Sequence, residues 1–336
     1  MTADERLEGL VKLGKFVHAI DEASLEELII KVRQENPWFT SGSVNLALEG
    51  IRRYLDPVKL KNWVSHYTVS PRTIRQVAVV MAGNIPLAGF HDLLSVLVSG
   101  HALMAKLSSK DSVLPTFLIT KLLEVEPRFE SFISMPPRLK NFDAVIATGS
   151  DNSARYFNYY FGKYPHIIRK NRTSVAVLTG LENNNELETL GIDVFSYFGL
   201  GCRNVSKLFV PKGFFIESIF PAWETYHDII HHHKYCNNYD YQKSILLVTR
   251  TPFLDGGYVM LQETERLVSP ISVVYYEFYN SAEDLVSKLS ANQQKIQCIV
   301  DNSGKYSKIK FGQAQSPGPE DYADQIDTLK FLTELS

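Results

Sequence analysis

The stretch QVAVVMAGNIPLAGF, residues 76–90, decides the fold class. Its first seven residues are a continuous apolar run rich in valine, the pattern of a strand covered on both faces. Gly83 and Pro86 then allow a tight turn, and a helix follows near residues 88–99. Strand, turn and helix make half of a βαβ unit, and the same order recurs downstream. HALMAKL leads to a helix near 113–124, and FDAVIAT (142–148) to a Gly-Ser turn and another helix start. TSVAVLTG (173–180) precedes a helix at about 185–198, and VSKLFV (205–210) a helix over 214–231. Such alternation predicts parallel sheets with right-handed crossovers and helices on both faces.

Outward from this core the signals thin. The first seventy residues read as helices: SLEEL (24–28) offers a capping box from Ser24 to Glu27, and Asn36-Pro37 stops that helix. Beyond 231, SILLVT (244–249) and ISVVYYE read as strands, a helix opens at Ser281 with Asp284 three residues on, and IQCIVDN closes as a strand. The resulting division is a helical segment 1–70, α/β units 71–190 and 191–310, and a Gly/Pro-rich segment 311–336 packing back on the first unit.

Composition excludes several classes. A net charge of −2 gives no basic field for nucleic acid. No run approaches the ~20 apolar residues of a membrane span. MTADERLEGL carries acidic residues and no apolar core, so a secretory signal is not expected, and the cytoplasm is the expected compartment. Three separated cysteines, Cys202, Cys236 and Cys298, form neither a disulfide framework nor a CxxC pair. Cys298 lies inside an apolar run and reads as core.

Three turns at strand ends carry polar groups suited to an anion. They are AGNIPL (82–87), KLSSKD (106–111) and ATGSDNSAR (147–155). Taken singly, each is an ordinary connection; Asp151, Asn152 or Ser153 can simply cap the helix after the third. HHHKYCNNYDYQ (231–242) reads as a polar, substrate-facing loop. Only His227 and His231 have the i, i+4 spacing of a metal pair, and no third ligand accompanies them in the sequence, so no metal is expected. Cys202, in GLGCRNVSKLFVP, lies between flexible residues just before a strand.

The order and spacing of these motifs resemble the aldehyde dehydrogenase superfamily: an Asn-x-Pro turn (Asn84-Ile85-Pro86), a strand-end lysine (Lys106), a Gly-Ser turn (Gly149-Ser150) and a cysteine before a strand (Cys202). Within it, AGNIPL, FGLGCRNVSKLFVP, HHKYCNNYDYQKS and FGQAQSPG are similar to the LuxC-like fatty acyl-CoA reductases, over roughly residues 74–325. The resemblance implies an α/β, aldehyde-dehydrogenase-like fold: a Rossmann-type cofactor domain (71–190), an α/β catalytic domain (191–310) and a helical N-terminus.

It also implies roles. Cys202 attacks an acyl thioester, and the Asn84 side chain donates to the developing oxyanion. Gly83, Ile85, Pro86, Lys106, Ser108, Ser109, Gly149 and Ser150 hold the cofactor. An acidic residue three positions after the strand-end lysine favours NADH in the superfamily; Ser109 stands here beside Lys110, so NADPH is expected. The Glu-Leu-Gly-Gly-type motif of oxidising members, with its water-activating glutamate, is replaced by HIIRKNRTS (166–174), whose Arg169, Lys170 and Arg172 suit a phosphate. Glu182, Glu186 and Glu188 are the carboxylates that could stand in for the missing base. The expected activity is NADPH-dependent reduction of an acyl-CoA or acyl-carrier thioester to an aldehyde. The alternatives are an NAD(P)-dependent aldehyde dehydrogenase working oxidatively, and a silent relative that binds thioester or nucleotide. A homo-oligomer is compatible with either.

Overall fold

The computed structural model describes residues 1–335, the side chain of Asp151 excepted. It divides into two units, Met1–Asn171 with Pro317–Ser336, and Arg172–Ser316.

The first unit opens with four helices, α1 (Ala3–His18), α2 (Glu22–Glu35), α3 (Ser41–Tyr54) and α4 (Pro57–Ser65). β1 (Gln76–Val80), α5 (Phe90–Ser99), β2 (Ala102–Lys106), α6 (Val113–Val125), β3 (Ile133–Ser134), β4 (Ala144–Thr148), α7 (Asp151–Phe161) and β5 (His166–Arg169) follow. The sheet order is β3-β2-β1-β4-β5, and every pair is parallel. Val77, Ala78 and Val79 of β1 are fully buried because both faces are covered. On one face α5 and α6 share a core with the N-terminal helices; on the other Ala78, Val145 and Ala147 meet Phe157 and Phe161 of α7. The chain leaves β1 to one side and returns to β4 on the other. The crevice at the carboxyl ends of β1 and β4 is therefore the switch point where open α/β sheets bind ligands.

The second unit contains β6 (Thr173–Val177), α8 (Asn184–Phe195), β7 (Val205–Pro211), α9 (Ile219–Trp223), α10 (His233–Val248), β8 (Leu254–Asp255), β9 (Met260–Glu263), β10 (Val273–Tyr279), α11 (Ala282–Ala291) and β11 (Ile296–Asp301). Its sheet runs β11-β6-β7-β10-β9-β8, parallel except for the β8–β9 hairpin. The C-terminal α12 (Thr328–Thr333) belongs to the first unit and buries Leu329 and Leu332 there.

Several elements differ from the sequence expectation. The stretch SILLVT is the end of α10. Tyr235, Tyr239 and Leu246, at helical spacing, are its buried seam, while Val248 is 83% exposed. HHHKYCNNYDYQ is consequently mostly helix, not loop. Residues 216–231 are short 3-10 and α turns. The cap of α2 is Asp21, whose side chain accepts from Ser24 N–H, and the cap of α7 is Ser150, accepting from Ser153 N–H at 3.2 Å. Asp151, the first of the three capping residues expected there, has its side chain outside the described atoms. The units part at Asn171/Arg172, because β6 pairs with β7 and β11. Residues 311–316 stay with the second unit because Phe311 and Ala314 are buried in its core.

Among the described residues, no helix is long and apolar enough to cross a membrane.

Candidate active site

In the first unit the strand ends gather the polar turns. Parallel pairing sets Val80 beside both Lys106 and Ala147, so β1, β2 and β4 end at one edge. The first two turns lie against each other. A Cβ on Gly83 would collide with the Ser108 side chain and stand 3.3 Å from Asp111 Cβ, so only glycine permits the approach. Leu87, with φ +59°, is left-handed without being glycine, and its N–H donates to Asp111 Oδ2 at 2.7 Å. Burial, opposed by this bond and assisted by nearby Glu35, pushes Asp111 up to about 7. Asn84, Ser109 and Ser150 are exposed, Lys106, Ser108, Ile85 and Gly149 half-buried, and Gly83 and Pro86 buried. Exposed hydroxyls, a lysine and the N-terminus of α7 thus stand together at the switch point.

A residue absent from the sequence reading joins the second turn. Glu35, at the end of α2, accepts from Ser112 N–H (2.9 Å), Val113 N–H (3.2 Å) and the Ser112 hydroxyl, capping α6. Asn36 Nδ2 donates to the Lys110 carbonyl at 3.2 Å. The N-terminal helices thus brace the KLSSKD turn, a contact across more than seventy residues of chain that local pattern cannot signal.

Arg169 is not available to a phosphate. Nη1 bonds both Asp92 carboxylate oxygens (2.7 and 2.6 Å) and Nη2 donates to the Thr328 hydroxyl at 2.7 Å, with Arg169 2% exposed. It ties α5, β5 and α12 together. Arg172 Nη1 donates to the Ile296 carbonyl at 3.3 Å, and Lys170 is exposed.

In the second unit Cys202 is exposed and outside any disulfide, in the turn three residues before β7 begins at Val205. Asn204 fixes its loop: Oδ1 accepts from Gly201 N–H at 2.8 Å. Nδ2 donates to the carbonyls of Asp193, Val194 and Ser196, the orphan acceptors ending α8, at 3.1, 3.3 and 2.7 Å. Ser174 Oγ donates to the Cys202 carbonyl at 3.0 Å. Ahead of it, Tyr197, Phe198 and Gly199 are successively left-handed, with φ of 51°, 58° and 77°. The two aromatic residues each bear about 1–2 kcal/mol for that. Phe198 is held against His232, with ring centroids 4.4 Å apart. Strain of this kind persists only where surroundings impose it, and it clusters at functional turns. Cys298 is core, as expected, 8% exposed.

The three glutamates lie at the other end of this sheet. Ser174 pairs with Val205 beside Cys202, whereas Glu182 accepts from Thr179 N–H (2.6 Å) and Gly180 N–H (2.9 Å) past the far end of β6. The five residue steps from Ser174 to Thr179 span about 16 Å of extended chain. Glu186 is spent on the capping box of α8 and on Asn302, and Glu188 stands in the same first turns, remote from the end of α8 that meets Asn204. Asp228 joins His227 and His231 with ligand atoms all within 4.8 Å, but Asp228 and His231 are exposed. Tyr235 and Tyr239 of the HHHKYCNNYDYQ stretch are core residues.

Residues 41–179 match the family model described as acyl-CoA reductase (LuxC). No curated protein matches the sequence. Among solved structures, aldehyde dehydrogenase 21 from Physcomitrella patens, in complex with succinate, aligns over 100% of this chain and 84% of its own at 13% identity, TM-score 0.66. The P. syringae indole-3-acetaldehyde dehydrogenase AldA, in complex with NAD+, aligns over 89% and 76% at 12% identity, TM-score 0.66. An aldehyde dehydrogenase from Bacillus cereus, also an NAD+ complex, aligns over 89% and 76% at 14%, TM-score 0.61. At such identities the likeness is one of fold: the chain folds like the aldehyde dehydrogenases, and its residues 41–179 are similar to the acyl-CoA reductase (LuxC) family.

Proposed function

We propose that the protein reduces an acyl thioester, of CoA or an acyl carrier, to an aldehyde through an acyl-enzyme on Cys202. The observation that carries this reading is the Cys202 loop itself: an exposed cysteine on a backbone fixed by Asn204 and Ser174, with Glu182 and Glu186 committed to hydrogen bonds at the opposite end of the sheet. The Cys202 sulfur forms a bond to the acyl carbon as the carrier thiol leaves, an exchange that thiolates perform readily. Asn84 supplies a hydrogen-bond donor to the oxygen that gains charge. NADPH, when bound, supplies a hydride, and with a proton the products are aldehyde and the Cys202 thiol. Ser150, Lys106, Ser108, Ser109 and the 82–87 turn hold that cofactor.

The test is to supply aldehyde and NADP+ without CoA. With no base to activate water, little free carboxylic acid should form, and CoA should restore turnover. Sustained multiple-turnover acid production would instead promote the oxidative dehydrogenase.

Cofactor choice follows from the second turn. Ser109 is neutral and exposed beside Lys110, and the Glu35 carboxylate is occupied by the α6 amides and Ser112. A 2′-phosphate therefore meets a hydroxyl and a cation. The expected preference for NADPH is about tenfold in kcat/KM, or ~1.4 kcal/mol. Ser109→Glu should reverse it toward NADH; equal kcat/KM values in the unsubstituted enzyme would sink the idea.

A further inference from the structure

We propose that Asp193 is a positioning residue that makes the Cys202 loop and the segment Phe311–Gln315 one mechanical body. The inference rests on reading Cys202 as the nucleophile. Asp193 is the second-last buried position of α8 before Phe195 and is 0% exposed. Its backbone carbonyl accepts from Asn204 Nδ2, the side chain whose other end holds Gly201 N–H. Its carboxylate reaches the opposite way, accepting from Gly312 N–H at 2.6 Å and Ala314 N–H at 2.9 Å. Arg203, next to the nucleophile, closes the ring: Nη1 donates to the Ala314 carbonyl at 3.4 Å. The path Asp193–Asn204–Gly201–Cys202–Arg203–Ala314–Asp193 is thus continuous through hydrogen bonds and chain.

Packing alone does not call for an acid here. A buried carboxylate that accepts only from backbone amides is expensive to desolvate. Burial raises Asp193 to about 7 while the two amides pull it down. A neutral side chain would fill the space at lower cost. What the carboxylate adds is two charge-assisted bonds that fix the amides of Gly312 and Ala314, two residues apart in the FGQAQ segment, in register with the loop. The next residue, Gln315, carries a buried Nε2 with no acceptor among the described residues.

Asp193→Asn keeps the volume and removes one acceptor, turning a donor against a donor. The expected result is a fall of about tenfold or more in kcat and in the rate of Cys202 alkylation by iodoacetamide, read by peptide mass, as misplacing a reacting group predicts. Hydrogen exchange should quicken at Gly312 and Ala314, while the KM for NADPH stays within about twofold. Alkylation is independent of the assigned reaction, so a change there without acyl-CoA reduction would overturn the function and leave this proposal standing. Unchanged kcat and alkylation alongside a loosened 311–315 segment would overturn the proposal. Should the variant not fold, native-state hydrogen exchange of the unsubstituted protein decides. The amides of Gly201, Gly312 and Ala314 share one opening free energy if the ring is one body, and distinct energies refute it.

Discussion

Cys202→Ala is expected to abolish acyl-CoA reduction while leaving NADPH binding intact. The side chain is exposed, and its loop is held by the Asn204 side chain accepting from Gly201 N–H and by the Ser174 hydroxyl donating to the Cys202 carbonyl, so truncation removes the sulfur without disturbing the scaffold. No other cysteine can substitute. Cys298 is buried in β11, and Cys236 is half-buried on α10, where its thiol donates to Asp240 Oδ2 at 3.8 Å. Cys202→Ser should be nearly as inactive, since a serine hydroxyl without an activating base is barely ionised near neutral pH. Steady-state NADPH oxidation with a panel of acyl-CoAs of increasing chain length measures both. More than a few per cent of residual turnover in either variant would remove Cys202 from the nucleophile's role.

The second large effect is on stability. Arg169→Met should cost about 3–5 kcal/mol, because it leaves the Asp92 carboxylate buried without its cation. Asp92 and Arg169 are 6% and 2% exposed, and Thr328 is fully buried, so water does not replace the lost bonds. The double substitution Asp92→Leu with Arg169→Met should recover most of the loss, as an apolar pair avoids desolvating either ion. Urea unfolding checks both. A single-variant loss below about 1 kcal/mol, accompanied by a raised KM for NADPH, would restore Arg169 to the phosphate contact expected from its sequence neighbourhood.

That reversal shows where sequence stops. HIIRKNRTS announces a cluster of cations, and cations suit phosphates; nothing local announces that Asp92, 77 residues away, points at one of them. Glu35 is the converse case, a carboxylate with no motif around it that reaches the turn after β2 through α2. SILLVT failed for a different reason. Four contiguous apolar residues satisfy a strand pattern, and only the buried faces of Tyr235, Tyr239 and Leu246 reveal the helical seam.

The sequence by itself determined the alternation of buried strands and helices, the parallel sheets this requires, and the motif order that resembles a LuxC-like reductase. These depend on local apolar runs, on turn residues and on spacing, all of which are properties of neighbours in the chain. The tertiary structure decided the rest. It set the break at Arg172, where β6 finds its partners in β7 and β11, and fixed Arg169 in an ion pair. It also put Glu182 at the far end of the sheet from Cys202 and brought the FGQAQ segment onto Asp193. Each of those outcomes is a pairing between distant residues, chosen by which buried polar group must find a partner, and that choice exists only once the chain has packed.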